Sequence, residues 1–267
     1  METGKMEKPP ILLIHGTWCS GESWNDFAKA LQKQGFEVHT PTLRHHGIFK
    51  AKAEWLENAK KVGTVGLLDY VSDLKKYAEK MAKPPIIIGH SLGGLLAQLL
   101  AVRIPNQGLV LLGTAPAAGI FAFYPNQVRA WGPYLWRALA QKPMFPTSFK
   151  NWGKFTCNVQ CERRRKETYQ TLCAESGRAY FEMCLWFLDR KRAAKVDFDK
   201  VRSPVLVIGA SKDKCTGSGM SLATARKYGD KALFVEIQGS DHMMNIGPYM
   251  PETLKIFEGW VKNIGIC

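Results

Sequence analysis

Pro85-Ile86-Ile87-Ile88-Gly89-His90-Ser91-Leu92-Gly93-Gly94-Leu95-Leu96 is the stretch on which the fold turns. A short run that is apolar at every residue, entered through prolines, reads as a strand buried on both faces. It passes at once into Gly89-His90-Ser91-Leu92-Gly93, and a helix is expected from Leu92 to about Arg103. The G-x-S-x-G pattern alone is a weak signal. Between a strand and a helix it becomes a nucleophile elbow, a strained turn that lifts a serine Oγ clear of the sheet. Glycines two residues before and after Ser91 leave room for the close strand–helix approach. A phosphate-cradling loop is disfavoured, because no Lys-Ser/Thr follows.

The same rhythm extends outward in both directions. Pro10 to Gly16 reads as a buried strand. Trp24, Phe27, Ala28 and Leu31 then step at helical spacing until Gly35. Phe36 to Pro41 is a second strand, and Leu67, Val71, Leu74, Ala78 and Met81 form one helical face closed by Pro84-Pro85. Downstream, Gly108 to Gly113, Val205 to Gly209 and Ala232 to Ile237 read as strands, and Tyr249 to Val261 as a terminal helix. This alternation predicts an α/β fold with a mostly parallel, doubly wound sheet. From Thr114 to Lys200 no apolar strand appears, only aromatics in helix-friendly sequence. The expected organisation is a core over 1–113, a helical cap insertion over 114–200, and the rest of the core over 201–267. Such an insertion would sit over the carboxyl ends of the strands, where open α/β sheets bind ligands.

Composition narrows the class. The chain has 267 residues, 46% hydrophobic and 22% charged, which is too apolar for disorder. Apolar runs such as Ile11 to Ile14 fall far short of the ~20 residues that span a bilayer, so no integral membrane segment is expected. Met1 to Pro10 lacks the apolar core of a signal peptide. Seven cysteines, an odd number in a large domain, read as reduced thiols in a cytoplasmic protein. Cys157 and Cys161 stand four apart without a second ligand pair, which favours buried apolar roles over metal. Of the net charge of +14, +8 lies between Phe121 and Lys200, from 15 basic and 7 acidic residues. Arg163 to Lys166 and Arg190 to Arg192 are its densest runs. No nucleic-acid motif accompanies them. A solvated basic face is the first reading, and a surface for anionic lipid or substrate the second.

A serine hydroxyl needs a general base, and the base an orienting carboxylate. Of six histidines only His242 follows the late strands, in the loop Gly239-Ser240-Asp241-His242. Asp213 lies just after the strand that begins at Val205. Asp241 adjoins His242 and could not readily fold back on it, and Asp197 and Asp199 precede their strand. Ser91, Asp213 and His242 are therefore the candidate catalytic residues. The developing oxyanion needs fixed N–H donors, assigned to the amides of Leu92 and Thr17, with Trp18 as second choice. His15 is expected to hold that loop by hydrogen bonds.

The set His15-Gly16-Thr17-Trp18, Gly89 to Gly94, Asp213 and Ser240-Asp241-His242-Met243 resembles the α/β-hydrolase superfamily. With Trp24 following, it is similar to the carboxylesterase branch that includes plant methyl-ester esterases and hydroxynitrile lyases. The resemblance implies an eight-stranded sheet, a cap over the site, and no cofactor. In the lyases a lysine directly follows the catalytic histidine. Met243 stands there in this chain, so ester hydrolysis is favoured over lyase chemistry. Serine at the elbow argues against dehalogenase and epoxide hydrolase chemistry, which uses aspartate. The expected partner is a small-molecule ester, bound by Trp18, Phe121, Trp131, Trp186 and Met243, although packing of the cap explains the aromatics equally well. The alternatives are a thioesterase, lactonase or lipase variant, or a ligand-binding protein with vestigial turnover.

Overall fold

The structure, a computed structural model, describes residues 8–266. Met1 to Glu7, which carry most of the signal-peptide reading, and Cys267 lie outside them. Six parallel strands form one sheet: β1 (Ile11–Ile14), β2 (Val38–His39), β3 (Ile86–His90), β4 (Gly108–Leu112), β5 (Val205–Ala210) and β6 (Ala232–Ile237), in the order β2-β1-β3-β4-β5-β6. The α/β parallel architecture is as the sequence predicts. The eight strands implied by resemblance are six among the described residues. Strands β1, β3, β4 and β5 are buried at every residue, while the edge strand β6 is only partly covered, with Leu233 46% exposed. β2 is also an edge, and it keeps only two residues of the expected run.

Helices cover both faces. α1 (Asn25–Lys33), entered through a 3-10 turn, packs against the terminal helix on one side. On the other side lie α2 (Lys52–Val62), α3 (Leu67–Ala78) and α4 (Leu92–Ala101), whose apolar residues form one buried cluster with the sheet. α2 carries no strong apolar stripe, and sequence patterning does not predict it; only Ala59 and Val62 are buried. α4 is buried at every position, because it lies under both its neighbours and the later helices.

Between β4 and β5 the chain is helical: α5 (Pro125–Trp131), α6 (Leu135–Leu139), α7 (Phe149–Asn151) running into a π turn over Trp152–Thr156, α8 (Glu162–Gln170) and α9 (Gly177–Cys184). A single antiparallel bridge, Met144 to Glu175, interrupts it among the described residues. After β5, α10 (Ser218–Tyr228) returns to the sheet, and α11 (Met250–Asn263) closes the chain. α10 buries Met220, Ser221, Thr224, Ala225 and Tyr228, a face in which Ser and Thr interrupt the apolar period.

A buried ion pair fastens the β4–β5 segment to the core. His46 Nε2 lies 3.2 Å from Glu175 Oε2, both side chains fully enclosed, and Glu175 Oε1 accepts from Tyr70 Oη (2.9 Å) and the Ser176 amide (2.7 Å). Burial works against both charges, but their mutual attraction and these hydrogen bonds outweigh it, holding Glu175 below and His46 above its usual range. Glu175's contribution to stability is present above its unfolded value near pH 4.3 and disappears as pH falls through its lower folded value. His46's contribution is complete below about pH 6.5 and disappears as pH rises through its higher folded value. We expect the melting temperature to decline as pH rises from about 6.5 to that folded value, and Glu175→Gln to abolish that decline while costing about 3–5 kcal/mol. A wild-type Tm that does not fall above neutral pH, or an equal alkaline decline in the variant, would contradict this.

Candidate active site

The order β2-β1-β3 places a topological switch between β1 and β3. The loops leaving their carboxyl ends diverge to opposite sides and open a crevice. His15 to Trp18 leave β1 and Ser91 leaves β3 at this point. Ser91 has φ +55° and ψ −122°, a region that side chains rarely adopt. The flanking glycines are required sterically. A Cβ on Gly89 would overlap the carbonyl of Gly93, and one on Gly93 the carbonyl of Ile14. Any larger residue would push α4 off the sheet and move Ser91 with it.

β5 and β6 supply the other two groups. His242 Nδ1–H donates to Asp213 Oδ2 at 2.8 Å, both residues buried. Asp213 also accepts from the amides of Cys215 (2.7 Å) and Thr216 (3.0 Å) through Oδ1, and from Thr216 Oγ1 (2.7 Å) through Oδ2. Burial raises its pKa, but His242 and these donors prevail and hold it at about 2. It is a carboxylate at any physiological pH. Gly113, at the end of β4 with φ +47°, clears space for the pair: a Cβ there would lie 3.2 Å from both Asp213 Oδ2 and His242 Nδ1.

Two buried histidines, at the ends of β1 and β3, hold the framework. His15 accepts the Leu43 amide at Nε2 (3.1 Å) and donates through Nδ1 to Gly16 O (3.0 Å); burial, then His46, hold its pKa at about 3, so it is neutral. His90 donates through Nε2 to the carbonyl of His242 (2.9 Å), with ring centroids 4.7 Å apart. Burial, reinforced by His242, holds His90 at about 3 as well. Asp241 does not face His242 Nδ1. Its carboxylate accepts from the Val159 amide (2.8 Å), Gln160 Nε2 (3.2 Å) and the Met243 amide (3.1 Å), tying the β4–β5 segment to the last loop.

Two cavities meet at Ser91. One of about 10 Å³ touches Gly16, Trp18, Ser91, Cys215, His242 and Met243. The other, about 230 Å³, extends from Thr17, Ser91 and Leu92 under the helices, past Trp131, Tyr180 and Trp186. Among the described residues the amides of Thr17 and Leu92 form no hydrogen bond, and Leu92 opens α4, whose dipole adds partial positive charge. Of the aromatics named from sequence, Trp131 and Trp186 line the larger cavity, and Trp18 and Met243 the smaller. Phe121 lines neither. It is 60% exposed and packs on Phe123 and Tyr124, because the irregular 121–124 segment turns its ring outward. The sequence pattern does not single out Thr216, Gly113 or His90; a Thr three residues after an expected acid, and a Gly ending a strand, are its available signals.

Asp213, Cys215 and His242 are the three potential metal donors that converge, within 4.8 Å, among the described residues. Both Asp213 oxygens already accept hydrogen bonds, and burial pushes the Cys215 thiol far up, so it stays protonated. The donor set is that of a hydrogen-bonded acid–imidazole pair. The six described cysteines are free, and no described helix is long and apolar enough to cross a membrane.

Comparison with known proteins adds three findings. A model of the Alpha/beta hydrolase family matches residues 11–251. The chain is 30% identical over 116 residues to the magnesium-chelatase 30 kDa subunit of Rhodobacter capsulatus, and 31% over 128 residues to the sn-1-specific diacylglycerol lipase ABHD11 of Mus musculus. These stretches span 43% and 45% of this chain but only 38% and 39% of those proteins' lengths. In structure it is similar to the methylesterase MES16 of Arabidopsis, with TM-score 0.69, 12% identity, and coverage of 94% of this chain and 98% of that one.

Proposed function

This chain belongs to the alpha/beta hydrolase family, and from that premise we propose that it hydrolyses carboxylic esters with a small or medium, largely apolar acyl group, through an acyl-enzyme on Ser91. One observation carries the reading: His242, which donates to Asp213 at 2.8 Å, borders the same small cavity as the strained Ser91. In this reading the helices of 114–200 are the cap, and the 230 Å³ apolar cavity beneath them takes the acyl chain.

Asp213 fixes the imidazole with its Nδ1 protonated, which leaves Nε2 free as the base. His242 takes the Ser91 Oγ proton as Oγ attacks the ester carbonyl. The oxyanion that forms is met by the N–H groups of Leu92 and Thr17. His242 returns its proton to the alkoxide, which leaves as the alcohol. A water then attacks the acyl-enzyme with His242 again as base, restoring Ser91 and releasing the acid. The small cavity beside His242 is at the lower limit of size for one water.

A fluorophosphonate probe should label the chain, and p-nitrophenyl esters should turn over, with apolar acyl groups preferred. Absence of labelling at full folding would refute the reading. Thr216→Val, close to isosteric, removes one hydroxyl donor from Asp213. The expected result is a roughly tenfold or greater fall in kcat/KM, in keeping with about 1.5–3 kcal/mol for a hydrogen bond to a charged group. Unchanged kinetics would show that Thr216 does not help hold Asp213.

A further inference from the structure

Nine of the thirteen exposed large apolar side chains lie between Phe121 and Leu188, among the described residues. They fall in three short stretches, 121–128, 135–139 and 187–188. Phe123, Val128 and Leu135 are each about half exposed and also line the 230 Å³ cavity, so they are its mouth. α6, which carries Leu135, packs along α9 and places Trp136 (53% exposed) and Leu139 (54%) on the outer side. Phe187 (58%) and Leu188 (55%) follow α9, and the Phe187 ring lies 5.8 Å from Trp186, a cavity residue. Exposed large apolar side chains concentrated about a cavity mouth mark an interaction face.

Charge says what it meets. Arg190, Lys191 and Arg192 follow Leu188 after Asp189, all exposed, and Arg129 stands next to Val128. None of these four forms an ion pair among the described residues, and the neighbouring Asp189 carboxylate is occupied by the amides of Lys191 and Ala193. The denser run at Arg163 differs: Arg163 pairs with Glu167, Arg164 with Asp26 and Glu167, and Lys166 with Glu162, while Arg165 donates to the carbonyls of Cys157 and Asn158. Cations without ion pairs thus adjoin this apolar surface in the chain, Arg129 beside Val128 of the mouth and Arg190 to Arg192 after Phe187 and Leu188.

We propose that this face docks on the surface of an anionic phospholipid membrane and opens the cavity mouth toward apolar esters dissolved in it. The second half rests on the esterase reading; the docking does not. Aromatic and aliphatic side chains enter the headgroup boundary while the cations meet lipid phosphates and carboxylates.

The test is co-sedimentation with vesicles of phosphatidylcholine alone or mixed with phosphatidylserine, using the full chain. Wild type should bind the mixed vesicles, bind phosphatidylcholine far less, and lose binding as added salt shortens the Debye length below about 10 Å. Replacing Arg190, Lys191 and Arg192 by Gln should lower partitioning about 100-fold, at about fivefold per cation near the surface. Trp136→Ala with Phe187→Ala and Leu188→Ala should weaken it on both lipid mixtures. None of these six residues lines the cavity, so both variants should hydrolyse a short soluble ester like wild type. Ser91→Ala should bind vesicles as wild type does, which separates docking from catalysis. Docking is overturned if wild type ignores phosphatidylserine, or if both variants bind unchanged. It is also overturned if sedimentation velocity shows a dimer that the Trp136, Phe187 and Leu188 variant dissociates, making the face a self-interface.

Discussion

Ser91→Ala is expected to lower kcat on a p-nitrophenyl ester by a factor on the order of 10⁴ to 10⁶ and to abolish fluorophosphonate labelling. The size follows from what remains. Without Oγ no acyl-enzyme forms, and only the Leu92 and Thr17 amides and the apolar cavity are left to bind the ester and stabilise attack by water. Alanine removes a single oxygen from the turn, and the strained backbone at φ +55° is imposed by the packing of Gly89 and Gly93 rather than by the hydroxyl. The fold should persist, with a melting temperature equal to or slightly above wild type. Retention of more than about a tenth of the activity would remove Ser91 as the nucleophile.

Asp213→Asn should cost about 10⁴ in kcat. An amide that keeps the Cys215 and Thr216 donors on its oxygen turns its NH₂ toward His242 Nδ1. The imidazole must then accept at Nδ1 and carry its proton on Nε2, where the base should be free. The negative charge that would stabilise the imidazolium is lost as well. Asp241→Asn should be much milder in kcat, because that carboxylate receives backbone and amide donors from 159–160 and 243 and does not reach the ring nitrogen. It should show instead as a lower melting temperature, through a loosened contact between the last loop and the β4–β5 helices. The opposite ranking of the two variants on kcat would make Asp241 the orienting acid.

The local pattern carried much of this. Runs such as Ile86 to Ile88 and Val205 to Ile208 are apolar at every residue because both faces of a parallel sheet are covered, and that periodicity is a property of the chain itself. Since loops at the carboxyl ends of parallel strands share one edge, the places of Ser91, Asp213 and His242 relative to their strands were enough to nominate them together. Their approach to 2.8 Å for the acid and the imidazole was not in the pattern. It depends on Gly113 yielding space and on His90 gripping the His242 carbonyl, contacts between residues 129 and 152 positions apart. α2 and α10 leave no clear apolar period in the sequence: one is mostly solvated, and the buried face of the other mixes Met220 and Tyr228 with Ser221, Thr224 and Ala225.

What the sequence by itself determined is the set of signals written in neighbouring residues: the strand–turn–helix around Ser91, the α/β alternation, the order of the candidate groups, and the helical character of 114–200. What only the tertiary structure decided is the pairing of residues far apart in the chain. It turns Phe121 to solvent and Trp131 inward, pairs Arg163, Arg164 and Lys166 with Glu162, Glu167 and Asp26, and leaves Arg190 to Arg192 without ion pairs among the described residues. The physical reason is range. Backbone propensity and apolar period act over a few residues, whereas burial, ion pairing and the direction of a loop side chain depend on what the rest of the chain brings alongside.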